Sequence, residues 1–416
     1  MHVWVIAISE PLPSIHDECR LLRAGTITKS LLDHGHSVTW WSSGFDHTSK
    51  KVLFRHDVTL KVSSLLELHL LSAIPYNKNV SLVRLASHFI LSQKFRRAIT
   101  SCQAPELIIS AFPTIELCTQ AVAFGSQRGI PVVIDVRDLW PDALIDVLPS
   151  ATQAVARVCG RPLVRMTREA LSGASGIMAV SEGYLDWALK YAGRSRRSSD
   201  QVFTHGYEVP SFSDSELNDA EKKLELMGVR PDAFICWFVG TFGATYDLGT
   251  IIEAARRVYD LGRHDVQFVL SGDGPRRNEW VTAASGLKNV VFTGRVDRCK
   301  LLALMRVAKI GLAAYTRTAP QGLPFKLFEY MAGGVPILSS LRGEAERFIN
   351  ANGCGMTYEA GSAAELLSAL IRLINDPSLR ERMSANALRA HREHYSSSAI
   401  YQRMVGYLEE ICRASH

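Results

Sequence analysis

The sequence predicts an α/β protein built from two doubly wound, Rossmann-like parallel-sheet domains that face each other across a cleft. Three observations carry this. Hydrophobic residues make up 47% of the chain and charged residues 21%, a globular composition. Short apolar runs rich in Val and Ile alternate with longer amphipathic segments along its whole length. Runs apolar on both faces suit strands buried in a parallel sheet, and such strands require crossover helices. The alternation breaks once, at Tyr207–Asp219 (YEVPSFSDSELND), where Ser, Asp and Pro give loop composition.

The elements follow in order. The first domain is assigned to residues 1–206, with strands expected at Val3–Ile8, Ser37–Trp41, Leu107–Ser110, Val132–Val136 and Ile177–Val180. Helices are expected at Leu21–Asp33, Leu82–Ile99, Thr114–Gln127 and Ala151–Leu171. The second domain is assigned to 207–396, with strands at Ile235–Val239, Gln267–Leu270, Val290–Phe292, Ile310–Ala314 and Pro336–Ser339. Its helices include Leu248–Leu261, Ala363–Ile374 and Leu379–His394, and a last helix at about 397–416 is expected to pack back on the first domain. Open sheets of this kind bind ligands beyond the carboxyl ends of their strands.

Composition excludes several classes. No apolar run approaches the ~18 residues of a membrane span. Val3–Ile8 is too short for a signal peptide, so a cytoplasmic location is expected. The eight cysteines are scattered without a CxxC pair, against structural zinc and a disulfide framework. The net charge of +6 is uneven: residues 1–200 carry 22 Lys/Arg against 17 Asp/Glu, the remainder 25 against 24. The first half is thus suited to an anionic partner, or simply has a solvated basic surface. Nucleic acid is not expected, because the basic residues lack interleaved stacking aromatics.

The most informative stretch is Ala319–Ser340, APQGLPFKLFEYMAGGVPILSS. Gln321, Gly322, Leu323 and Pro324 form a turn-like loop, and Phe325–Met331 are good helix formers. Pro324 suits a helix start, where unpaired N–H groups attract an anion such as a diphosphate. Lys326 adds a full positive charge in the first turn. Glu329, three residues on, lies on a similar face and suits the hydroxyls of a ribose better than a phosphate. The alternative is an ordinary surface Lys–Glu pair.

This stretch resembles the retaining glycosyltransferases of family 4, which have the GT-B fold. Their signature is a Glu, seven residues and a second Glu, followed by a small-residue helix end and a strand. Glu329 matches the second Glu, and the resemblance implies that it contacts the donor ribose. The first falls on Gln321, a departure, which would contact the transferred sugar as a neutral group. The form GLPFKLFEYMAGGVPIL is similar to the branch that assembles bacterial surface polysaccharides, where the Lys is a phosphate ligand.

Other segments agree in order and spacing. Trp237–Asp247 (WFVGTFGATYD) is a strand and a glycine turn, with Gly240, Thr241 and Gly243 set for close backbone approach to a phosphate. Many family members carry Arg and Lys here, where this chain has Thr241 and Tyr246. LSGDGP, with Gly272, and FTGRV match further landmarks, and the resemblance places the nucleobase against Arg295 and Val296. In the first half, VVIDVRDLWPD brings Arg137 and Asp138 to a strand's carboxyl end. Arg137 either faces the donor sugar or pairs with Asp135 or Asp138. Ser181 would face the cleft. His16, Asp17 and His47 sit in loops and read as solvated groups rather than as an acid–base pair.

The resemblance runs from Val3 to about Tyr401 and is weakest over 51–100. That segment (SLVRLASHFILSQKFRRAIT), read as an amphipathic helix, and the recurring Arg157, Arg161, Arg165 and Arg168 suit contact with an anionic membrane surface at the inner face of the cytoplasmic membrane, the alternative for each being a solvated helix face. The implied activity is a metal-independent, retaining transfer from a nucleotide sugar to a polyprenyl-diphosphate-linked saccharide, with no cofactor and no metal. The residues expected to carry it are Lys326, Glu329, Arg137 and Asp138. Two alternatives stand beside it, a nucleotide-sugar 2-epimerase and a non-catalytic binding subunit.

Overall fold

The computed structural model describes residues 1–13, 15, 21–146, 148–319 and 322–415. His16, Asp17 and Gln321 therefore lie outside the described residues. The chain divides into two units, Met1–Thr204 with Ile400–His416, and His205–Ala399. Among the described residues no helix is long and apolar enough to cross a membrane.

The first unit is built on an eight-stranded sheet. In spatial order its strands are Asp200–Val202, Gly176–Ala179, Val132–Val136, Leu107–Phe112, His2–Ile6, Ser37–Ser43, Leu66–Leu71 and Val58–Lys61. All pairs are parallel except the last, which is antiparallel. The direction of winding reverses between His2–Ile6 and Leu107–Phe112. Alternate side chains go to opposite faces, as the strand period requires. Trp4, Ile6, Ile108 and Ile134 pack with Phe95, Ile115, Leu171 and Leu185 on one face. Val3, Val5, Ile109 and Val133 pack with Ile27, Leu31, Met404 and Leu408 on the other, so the last helix, Ser397–Ala414, covers that face.

The second unit has six parallel strands in the order Val290–Gly294, Val266–Ser271, Phe234–Val239, Ala308–Ala313, Ile337–Ser339 and Gly355–Thr357. Its winding reverses between Phe234–Val239 and Ala308–Ala313. Trp237, Val269, Ala313 and Ile337 pack on one face, and Cys236, Phe268, Ile310 and Leu338 on the other.

Three expectations are corrected. The helix expected at 151–171 is two, Ser150–Cys159 and Arg161–Gly173, joined at Gly160. Pro162 explains the break: it has no N–H to continue a helix and its ring crowds the preceding turn. The stretch 207–219 is a loop only as far as Ser213. There Ser213 and Glu216 form a capping box that opens the helix Asp214–Leu226, so the Ser/Asp content marks a helix start. The strands Val58–Lys61 and Leu66–Leu71 were not expected; they lie in the segment of weakest resemblance.

Candidate functional site

In the second unit, the loops that follow Val239, Ser271, Gly294 and Ala313 leave one edge of the sheet, because the strands are parallel. Loops at the reversal of winding are where such sheets hold ligands. The glycines there are needed for close packing. A Cβ on Gly272 would fall 1.8 Å from Gly240 O, and one on Gly274 2.6 Å from Phe242 O. Gly272 N donates to Gly294 O at 2.8 Å, and Phe242 N to Asp273 O at 2.9 Å. Gly240, Gly243 and Gly272 thus belong to loops stitched to one another. Thr241 and Arg295 are exposed, and Val296 is half-buried against the core.

The helix Phe325–Ala332 starts at Pro324, which offers no side-chain cap. By contrast, Asp247 caps the helix Leu248–Asp260 through Thr250 N at 3.1 Å. A negative group therefore already occupies that second helix start. Phe325 packs near His205 and Tyr207, with ring centroids 5.8 and 5.7 Å away.

Lys326 is the central residue. It is only 5% exposed, and its Nζ is buried without a hydrogen-bond partner among the described residues. Three rings surround it: the Phe238 centroid at 4.0 Å, Tyr246 at 4.1 Å and Tyr315 at 5.0 Å. A Cβ on Gly240 would lie 3.1 Å from Nζ, so the amine stands directly beside the glycine turn. Burial holds its pKa well below the ordinary lysine value, and Glu329 counters only part of that. Cation–π contacts of about 0.5–2 kcal/mol each stop short of the cost of a desolvated ammonium. The site therefore favours an incoming anion. The expectation of a surface Lys–Glu pair is set aside: Lys326 is buried and Glu329 half-buried.

In the first unit, Arg137 sits in a buried ion network. Its Nε donates to Asp135 Oδ2 at 2.7 Å, and its NH1 pairs with Glu10. Arg23 grips the same carboxylate, Nε to Oδ2 and NH2 to Oδ1, both at 2.9 Å, and its NH1 donates to Phe203 O at 2.8 Å. Burial alone would raise the Asp135 pKa, yet the two guanidinium groups hold it at about 2. Of the two expected roles for Arg137, pairing with Asp135 is the one this geometry displays. Asp138 accepts from Leu139 N at 2.8 Å. Ser181 caps the helix Glu182–Ala192 through Tyr184 N.

A second group stands at the carboxyl edge of the first sheet. His47 Nδ1 and Tyr76 OH are 2.8 Å apart, and Arg84 lies between Tyr76 and Trp140, 4.6 Å from the Trp140 ring centroid. His88 stacks on Trp140 at 5.9 Å. His47 is therefore no solvated loop residue; burial, then Arg84 and Lys50, lower its pKa to about 4. Burial and Arg84 lower His88 to about 3, and burial raises Glu116 to about 7. Tyr76, Arg84 and His88 were missed, since they come from the segment of weakest resemblance. Tyr315 was also missed, although an aromatic just past the Ala308–Ala313 strand was a usable signal.

Residues 233–376 match the family model described as "Glycosyl transferases group 1". That match lies within the second unit. The chain is 30% identical over 203 residues to an alpha-D-kanosaminyltransferase of Streptomyces kanamyceticus, covering 48% of this chain and 52% of that protein. It thus spans about half the length of that relative. It is 25% identical over 323 residues to a phosphatidyl-myo-inositol mannosyltransferase of Mycobacterium leprae, covering 74% and 84%. Among solved structures it resembles Anabaena HepE in complex with UDP, with a TM-score of 0.66, 15% identity and 98% and 99% of the two chains covered. The fold is therefore that of the GT-B glycosyltransferases.

Proposed function

We propose that the protein is a retaining, metal-independent glycosyltransferase. It moves a hexose-type sugar from a nucleotide-diphosphate donor to a lipid-linked saccharide in polysaccharide assembly. The observation that carries this is the buried amine of Lys326 beside Gly240, without a hydrogen-bond partner among the described residues, at the winding reversal of the unit that matches the group 1 model. In this reading the donor diphosphate supplies the counter-charge that Lys326 lacks. The N–H groups at the start of the Phe325–Ala332 helix bind the same phosphates. Glu329 binds the ribose, and Gly322 and Leu323 line the sugar side.

Departure of the diphosphate concentrates negative charge. A charge held ready in a desolvated site stabilises that state more than the ground state. Relatives that are sugar transferases, and a neighbour bound to UDP, support a nucleotide-sugar donor. Membrane contact at the inner face of the cytoplasmic membrane is part of the same reading, supported by the exposed Arg157, Arg161, Arg165 and Arg168.

The test is thermal shift against UDP, GDP, dTDP and ADP and their sugars. A ligand at about 100 times its Kd adds ~2.7 kcal/mol of apparent stability. One nucleotide series should stabilise the protein, with and without a chelator. Failure of all four would sink the reading. Conversion of the donor alone, without acceptor, would replace it with an epimerase.

A further inference from the structure

The first unit contains a cavity apart from the glycine turns and Lys326 of the second unit. It holds about 400 Å³ between the start of the Leu82–Ala98 helix, Trp140 with the short helix Asp142–Asp146, and the two helices that meet at Gly160. Its walls are apolar: Leu82, Leu85, Trp140, Leu144, Leu148 and Leu163. That size lies within the range of small-molecule sites. The mouth is apolar as well. Leu82 is 84% exposed, the helix Ser150–Cys159 buries none of its residues, and Val155 and Val158 on it face solvent. Large apolar side chains left open to water beside an apolar cavity mark an interaction site rather than a core.

Arg84 identifies the occupant. It is the single charged residue among the described lining residues. Its NH1 donates to Asn79 O at 2.7 Å and its Nε points to His88 Nε2 at 3.4 Å. It also bonds Tyr76, so its contacts are a carbonyl, an imidazole and a phenol, not a carboxylate. Lys50 stands beside it, 5.0 Å from the Tyr76 ring centroid, donating to Asn79 Oδ1 at 2.7 Å. The negative groups facing this cluster are Asp46, Asp138 and Glu116. Asp46 is engaged by Thr48 and Ser49, and Asp138 by Leu139 N. Arg84 thus joins two surfaces: the apolar cavity on one side and the ligand-holding edge of the sheet on the other. A molecule that fills both has a hydrocarbon chain and an anionic head.

We propose that this cavity takes the hydrocarbon chain of the lipid-linked acceptor, with Arg84 against the acceptor's phosphate head. The inference deepens the transferase reading and rests on it for the word acceptor. A bulk membrane lipid fits less well, because the cavity ends at Arg84, on the edge where the sheet presents ligands.

The test uses the full chain and farnesyl diphosphate, with calorimetric titration as the readout. Farnesyl diphosphate should bind at least about tenfold tighter than inorganic diphosphate, because the chain is buried with the head. Leu82→Glu, at an exposed position that does not disturb the core, should lose that advantage. Arg84→Gln should weaken farnesyl diphosphate but not farnesol. Equal binding of farnesyl and inorganic diphosphate would overturn the proposal. So would binding that Leu82→Glu and Leu163→Arg both leave unchanged. Binding of phosphatidylglycerol vesicles sensitive to Leu82→Glu, without binding of farnesyl diphosphate, would assign the surface to the bilayer and also overturn it. Nucleotide thermal shifts on the same variants keep the two readings apart. Retained nucleotide binding with no chain binding rejects the cavity alone. Chain binding with no nucleotide response supports the cavity and rejects the transferase.

Discussion

The Nζ of Lys326 lies 4.1 Å from the centre of the Tyr246 ring. Tyr246 is one wall of an aromatic cage around that amine, with Phe238 and Tyr315 as the others. The glycine turn and the helix start, 86 residues apart at Gly240 and Lys326, meet at this point. Removing the amine separates its two costs. Lys326→Met should abolish nucleotide-dependent stabilisation and slow transfer by about 10²–10³. It should also raise the melting temperature of the free protein, by about 2–4 °C for each kcal/mol recovered on removing a desolvated amine. A lower melting temperature would mean that the amine stabilises the free fold.

Protons report on the same residue. In the free protein the Lys326 pKa is held below 10.5 by burial. The unfolded chain therefore binds more protons than the native one between the two values, and native stability rises with pH across that window. A bound diphosphate favours the ammonium and moves the pKa back up. Nucleotide binding should then take up a proton within the window, and affinity should fall as pH rises through it. Titration in two buffers of different ionisation enthalpy measures the uptake, which Lys326→Met should remove.

Glu329→Ala should raise the KM for the donor and leave kcat nearly unchanged, as expected for a group that holds the ribose equally in ground and transition states. An equal fall in kcat and kcat/KM would place it at the reacting bond instead.

The buried network predicts stability effects. Arg23→Met leaves the Asp135 carboxylate with half its support and should cost about 3–5 kcal/mol. Because Asp135 titrates at about 2 rather than 3.8, its contribution is complete above the ordinary value and fades as pH falls toward 2. Acid unfolding monitored by circular dichroism should shift to higher pH in the variant. Arg137→Ala should likewise destabilise; a loss of transfer with unchanged melting would make Arg137 a catalytic group.

Gly272→Ala should destabilise the second unit by about 1–3 kcal/mol or more, since a methyl group would meet Gly240 O at 1.8 Å. Its nucleotide response should weaken too, because the displaced loop carries the turn beside Lys326. An unaltered response would uncouple the two glycine loops.

Both sheets were legible because their strands are apolar on both faces, and the period of the side chains needs no distant partner. The Gly240 and Lys326 segments were legible because each combines a turn residue with a strand or helix boundary. Burial of Lys326 was not legible: its cage joins Phe238 and Tyr246, from the glycine-turn segment, to Tyr315, about 70 residues further along the chain. Arg84 and His88 were hidden for the same reason, as were Val58–Lys61 and Leu66–Leu71, whose pairing is set by sheet register. Local composition misled where one residue type serves two purposes, as at Ser213, where a helix cap reads as a linker.

The first unit has a helix start of its own at Arg23, and its ligand is already in place. The Glu10 carboxylate accepts from Ala24 N at 2.9 Å while pairing with Arg137. A tethered anion is present at an effective concentration that no free nucleotide can match. The second unit does the same at the helix after its own first strand, where Asp247 accepts from Thr250 N. In each half a carboxylate of the chain itself thus takes the place that a bound anion would hold at that helix start.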